Sequence, residues 1–179
     1  MPEADPTGEL DPTRRPDATQ RFGRFVDAVE IARGGMGAVH RAVDPDLGRP
    51  VAIKSLLDGA AADERSVRRF RLEARITGRL QHPNIVPVHE LATGEDGVPY
   101  LCLQLVGGQT LETYVRSRGR AGWRGTPHPL GRLLAVYLKV LDAVGFAHSR
   151  GVVHRDLKPA NVMVGEFGEV LVMAWGIAK

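Results

Sequence analysis

The chain is poor in cysteine: one residue, Cys102, occurs among 179. A single thiol excludes an internal disulfide and a multi-cysteine zinc site. It lies within the apolar run Tyr100-Leu101-Cys102-Leu103, where a buried structural thiol is expected rather than a reactive one. No apolar run approaches the roughly 18 residues that a transmembrane helix needs, so no membrane span is expected. The N-terminus is polar and proline-rich and lacks the apolar centre of a secretory signal, which makes the cytoplasm the default location. A concentrated basic stripe is also missing. The net charge of +3 is spread along the chain, which argues against a nucleic-acid partner. There is no internal repeat.

What the chain does have is a globular composition, 43% hydrophobic, with length for one ordinary domain and a sizeable core. Residues 1–20 are rich in Pro, Asp, Thr and Arg and read as a disordered leader. Apolar residues become frequent from Phe22. Phe25–Ile31, Ala38–Val43 and Val51–Leu56 read as strands, the first two separated by Gly34-Gly35-Met36-Gly37 and the last two by a turn at Asp44–Gly48. Val67, Phe70, Ala74 and Leu80 give residues 63–80 one apolar helical face. Ile85–Leu91 and Val98–Leu105 read as two further strands. The expected fold is α+β: a five-stranded antiparallel sheet with one helix packed on it. After Gly107-Gly108 the pattern turns helical at Leu111–Arg118 and Leu130–Ser149, with a loop between. A polar loop with short edge strands spans Val152–Val164, and a last strand Val170–Met173.

Three constellations carry chemistry. The first is Ala32-Arg33-Gly34-Gly35-Met36-Gly37-Ala38-Val39, set between two strands. Glycine lets backbone N–H groups approach phosphate oxygens with no Cβ in the way. Alone it is a weak signal, since glycine-rich hairpins are often plain turns. The second is Lys54 in Val51-Ala52-Ile53-Lys54. An ammonium on an apolar strand is costly to bury without an anion, although an edge lysine can reach water. Glu73 on the following helix is a candidate counter-ion. The third is His154-Arg155-Asp156-Leu157-Lys158-Pro159-Ala160-Asn161. There Asp156 can orient a hydroxyl and accept its proton, Lys158 can neutralise a transferring phosphoryl group, and the Asn161 amide oxygen can ligate a metal ion.

Taken in order, these motifs resemble the eukaryotic-type serine/threonine protein kinases that are also widespread in bacteria. The likeness runs from about Phe22 to Lys179. Lys158 is similar to the Ser/Thr branch rather than the Tyr branch, and His82-Pro83-Asn84-Ile85-Val86 to the family's link from helix to fourth strand. The resemblance implies an N-lobe over residues 21–106 and the first part of a helical C-lobe over 107–179. It implies ATP as cofactor, with Mg2+, and phosphoryl transfer to protein Ser/Thr hydroxyls. It further implies that Val39 and Ala52 roof the adenine and that Met163 floors it. Leu103 would be the gatekeeper before a hinge of Gln104-Leu105-Val106, whose backbone at Val106 would bond the adenine edge.

One position breaks the pattern. The family's Asp-Phe-Gly or Asp-Trp-Gly reads here Ala174-Trp175-Gly176, so the metal-holding aspartate is an alanine and Asn161 is left as the metal ligand. Mg2+ binding is therefore expected to be weakened or lost. The chain also stops at Lys179, short of the family's activation segment and later helices. A truncated kinase with impaired turnover is the expectation, and a pseudokinase-like module that binds nucleotide or an unidentified docking partner is the alternative. Leu133, Leu134, Val136, Leu138, Leu141 and Val144 cannot all turn inward, so an exposed apolar patch is expected on that helix.

Overall fold

The computed structural model describes residues 22–34, 37–57, 61, 63–121 and 129–175. The expected leader (1–20), Gly35, Met36, Gly176 and positions 122–128 of the expected loop lie outside the described residues. Strands β1 (Val26–Arg33), β2 (Gly37–Asp44), β3 (Arg49–Leu56), β4 (Val88–Thr93) and β5 (Pro99–Gln104) form one antiparallel sheet in the order β1-β2-β3-β5-β4. Helix α1 (Glu64–Arg79) lies between β3 and β4 in the chain.

The side-chain period of two along β3 builds two cores at once. Val51 and Ile53 join Phe22, Phe25, Ala42, Tyr100 and Cys102 on one face. Ala52 and Leu56 join Phe70, Ala74, Val86, Leu101 and Leu103 on the other, beneath α1. Lys54 shares this second face, so its ammonium is directed toward the helix. Cys102 is buried, and that burial pushes its thiol up to about 11. It is the structural thiol expected from its apolar run. Helix α1 starts at Asp63, whose carboxylate accepts from the N–H groups of Arg65 and Ser66. The hydrogen bond from the Ser66 hydroxyl, and then those two backbone bonds, hold the Asp63 carboxyl below its usual range.

The second half is helical. Helices α2 (Leu111–Ala121) and α3 (Pro129–Ser149) flank a three-stranded sheet of β6 (Gln109–Thr110), β7 (Val162–Val164) and β8 (Val170–Val172). Val136, Val140, Ala143 and Ala147 of α3 pack with Val162, Val164, Val170, Val172 and Trp175. The periodicity of α3 splits its apolar residues. Val136 is buried and Leu133 and Val144 are half-buried, whereas Leu134, Leu138 and Leu141 are exposed. Among the described residues no helix is long and apolar enough to cross a membrane.

Several expected boundaries move. The strand expected from Ile85 begins at Val88. Ahead of it, Ile85 bridges Val172 in parallel, Val86 N–H donates to the Val172 carbonyl, and Val172 N–H donates to the Asn84 carbonyl. Pro87 has no N–H for the ladder, so its carbonyl alone is used, by Gln104 N–H. The strand β5 ends at Gln104, one residue early. Helix α2 runs on to Ala121, past the expected end at Arg118. Val152 is in no strand, and the short β6 was not expected because two residues carry no readable alternation.

Gly108 sits between the two halves with φ of +105°, and a Cβ there would lie 2.2 Å from the Val164 carbonyl oxygen. Neighbouring Gly107 faces open space. Gly108→Ala is expected to lower unfolding stability by more than about 2 kcal/mol, through left-handed strain plus a backbone clash. Gly107→Ala should stay within about 0.5 kcal/mol of the parent. Urea denaturation of both variants checks the pair, and equal effects would refute the assignment.

Candidate functional site

Lys54 pairs in register with Val39 on β2 and Leu101 on β5, so it occupies the middle of the sheet. Its Nζ donates to Glu73 Oε1 at 2.5 Å, with the Glu73 side chain 12% exposed. The expected counter-ion is therefore in place. Glu73 is carried on the α1 face that also buries Phe70, Ala74 and Thr77, so packing of the helix sets the position of the carboxylate.

The glycine hairpin is only partly described. Ala32 pairs with Val39 and Arg33 with Ala38, and Gly34 N–H donates to the Gly37 carbonyl to close the turn. The Arg33 guanidinium is turned back onto Glu30. Gly37 has a structural reason to be glycine, because a Cβ there would lie 2.6 Å from the Ser55 carbonyl oxygen.

The polar loop is held by His154, which is buried against Trp175 with ring centroids 4.6 Å apart. Its Nδ1 accepts from Asp156 N–H at 3.2 Å. The proton must then sit on Nε2, which donates to the Met173 carbonyl at 2.7 Å. One imidazole thus pins the start of the loop to the segment that carries Ala174. Asn161 spends both amide protons on Asp156, one on its carbonyl at 2.8 Å and one on Oδ2 at 3.0 Å. Its Oδ1 is left over. Met173 N–H donates to the Asn161 carbonyl. Lys158 Nζ lies 2.9 Å from Asp156 Oδ2. The hydrogen bond from Lys158, and then that from Asn161, hold the Asp156 carboxyl below its usual range.

The Lys54–Glu73 pair and Asp156 meet at one cavity of about 190 Å³, which Lys158 and Asn161 do not line. Gly37, Lys54, Glu73, Asp156 and Ala174 line it, with Arg69 and Phe70 from α1. Ala174 is exposed there with φ of +60°, and Arg155 has φ of +67°. Non-glycine residues rarely hold this conformation, and Asp and Asn tolerate it better than Ala. Among the described residues no cluster of three His, Cys, Asp or Glu side chains could hold a metal ion.

The residues expected around the adenine do not line this cavity. Val39, Ala52 and Leu103 share the inner face of the sheet, with Leu105 packed against them. Gln104 is exposed, while Leu105 and Val106 are half-buried. Val106 has no backbone hydrogen-bond partner among the described residues, which leaves its N–H and carbonyl available. Met163 is half-buried on β7, with its neighbours Val162 and Val164 fully buried on the other face. Sequence reasoning missed Arg69. The signal was present, since Arg69 lies four residues before Glu73 and so shares its helix face.

A sheet that delivers a lysine to a helix glutamate, facing an aspartate–lysine–asparagine loop, is the arrangement of the protein kinase fold. The description "protein kinase domain" matches residues 25–179. Serine/threonine-protein kinase PknA of Mycobacterium tuberculosis is 40% identical over 161 residues, covering 88% of this chain and 36% of that protein. Serine/threonine-protein kinase PknD of Protochlamydia amoebophila is 38% identical over 154 residues, covering 83% and 16%. Among solved structures, the Mycobacterium tuberculosis PknI kinase domain matches with TM-score 0.68 at 30% identity, covering 89% of this chain and 62% of that one. The chain belongs to the protein kinase domain family. It spans between 16% and 36% of the length of these two curated relatives. The family uses ATP with Mg2+.

Two outcomes follow from the geometry. Lys158→Met should move the Asp156 carboxyl up toward its ordinary value, as read by NMR titration of its Cγ. The sign is that of a depressed carboxylate: its contribution is complete above the unfolded value near ~3.9 and is lost as pH falls through the lowered folded value. His154→Ala should cost about 2–4 kcal/mol, because it leaves a cavity on Trp175 and two backbone groups without partners. A denaturant midpoint unchanged from the parent would contradict this.

Proposed function

We propose that this chain is the ATP-facing part of a serine/threonine protein kinase domain, and that it binds nucleotide with phosphoryl transfer strongly reduced. The observation that carries the reading is the single cavity lined by Lys54, Glu73, Asp156 and Ala174. Lys54, steadied by Glu73, has the position and charge to hold the ATP phosphates. Gly34 and Gly37, at the described ends of the glycine hairpin, bring backbone toward them with no Cβ in the way. Val39, Ala52, Leu103 and Met163 enclose the adenine, and the Gln104–Val106 backbone bonds its edge.

For transfer, the substrate hydroxyl oxygen would form its bond to the γ-phosphorus as the bond to the β–γ bridging oxygen breaks and ADP leaves. Asp156 accepts the hydroxyl proton, and Lys158 balances charge on the transferring group. The residues present do not fit a magnesium ion well. Magnesium asks for an octahedral oxygen shell anchored by one or more carboxylates. Ala174 offers no oxygen, Asp156 is already bound to Lys158 and Asn161, and Asn161 Oδ1 remains as a lone neutral donor. Nucleotide can be held by Lys54 and the hinge, but the charge that develops during transfer is poorly met.

The test is phosphotransfer from labelled ATP to a generic protein substrate by the unmodified chain, Ala174→Asp and Asp156→Asn. The unmodified chain is expected to run about 10²–10³-fold below Ala174→Asp, the range for losing one preorganised electrostatic group. Transfer equal to that of Ala174→Asp and abolished by Asp156→Asn would establish an active kinase instead. A thermal-shift titration that shows no response at millimolar ATP would remove the nucleotide-binding reading.

A further inference from the structure

We propose that the phosphate end of this site takes ATP as the metal-free polyanion, with Arg69 supplying positive charge that a divalent cation would otherwise bring. The inference rests on the nucleotide-binding reading above and goes further, to the ionic form of the ligand and a residue outside the family's motif set.

Charge pairing around the cavity leads to it. Both carboxylates are already matched: Glu73 to Lys54 at 2.5 Å and Asp156 to Lys158 at 2.9 Å. Arg69 lines the same cavity and has no ion-pair partner among the described residues. Position 174, where a carboxylate would offset that charge and anchor a cation, carries only a methyl group. The lining itself balances two cations against two carboxylates, but Lys158, from outside the lining, already neutralises Asp156, so the paired cluster as a whole carries one guanidinium in excess, the reverse of what a cation needs.

The position of Arg69 also suits the role. It lies one helical turn before Glu73, on a helix fixed by the Asp63 cap and by burial of Phe70 and Ala74. Its guanidinium stays charged at any working pH and offers a planar fork of donors that matches phosphate oxygens in pairs. Ser66 is nearby on the same wall, but its hydroxyl proton goes to Asp63, so Arg69 is the side-chain donor that α1 can supply. Magnesium bound to ATP would cancel two of the nucleotide's charges and occupy the oxygens the guanidinium would grip. Here it acts as a competitor for the phosphates rather than as a bridge.

The experiment is calorimetric titration of ATP into the full 179-residue chain, at matched ionic strength, with EDTA or with excess MgCl2. Arg69→Gln, Arg69→Lys and Ala174→Asp are run beside it, with thermal melts to check folding. The unmodified chain should bind ATP several-fold more tightly in EDTA. Arg69→Gln should lose about tenfold in EDTA, as expected for one charge-assisted contact, and little in magnesium. Arg69→Lys should recover part of the loss, and Ala174→Asp should reverse the preference. Binding strengthened by magnesium in the unmodified chain would overturn this proposal and leave the nucleotide-binding reading standing. Parent-like binding by a normally melting Arg69→Gln would do the same. No binding of ATP in either buffer would overturn both.

Discussion

The pairing of Lys54 with Glu73 is the constraint around which the rest of the N-terminal half is arranged. Lys54 lies on the middle strand, whose neighbouring residues are buried on both faces, so leaving its half-buried ammonium without an anion would be costly. The anion arrives on a helix, and that helix can bring it only by burying Phe70 and Ala74 against Ala52, Leu56 and Leu101. Strand order, helix placement and charge pairing are therefore one condition. A shift of one residue in β3 would exchange Lys54 with Ile53 and place the charge among Phe22, Phe25 and Tyr100.

The second half depends on β8 as a seam. Residues before β4 bond to it through Asn84, Ile85 and Val86, and the Asn84 side chain reaches the Val170 carbonyl. Just beyond the strand, Met173 receives the His154 bond and donates to Asn161. Asp156 and Lys54 come from opposite halves of the chain yet line one cavity, and this hydrogen-bonded seam is what joins them. The polar loop is thereby shaped by backbone bonds before any ligand is present, which is the preorganisation that charge-stabilising sites require.

At Ala174 the backbone keeps an unusual conformation although the side chain carries no oxygen. Its φ of +60° is a conformation that suits Asp or Asn more than Ala. The frame persists because Trp175 is buried next to it and His154 holds Met173 on the other side. Packing maintains the backbone, and the side chain it presents is a methyl group. Arg69 lines the same cavity as Ala174, and among the described residues no carboxylate pairs with it.

Much of this was written in the chain order. The strands around the glycine hairpin, the apolar face of α1 and the Lys54–Glu73 pairing can be read from periodicity, spacing and residue chemistry, because each depends on local pattern, whereas the departure at 174 is legible only through the resemblance to the family's motif. Other features could not be read that way. The bonding of Ile85 and Val86 to β8 joins segments far apart in sequence, and neither carries a signal for the other. The two-residue β6 is too short to alternate. The role of His154 as a clasp depends on which carbonyl its Nε2 meets. Arg69 carried the right spacing but no meaning until the cavity showed that Lys54 already occupies Glu73. The sequence alone determined which charges the site contains. Only the tertiary structure decided which of them cancel, because cancellation depends on distance and burial, and those are set by packing between segments rather than by their order.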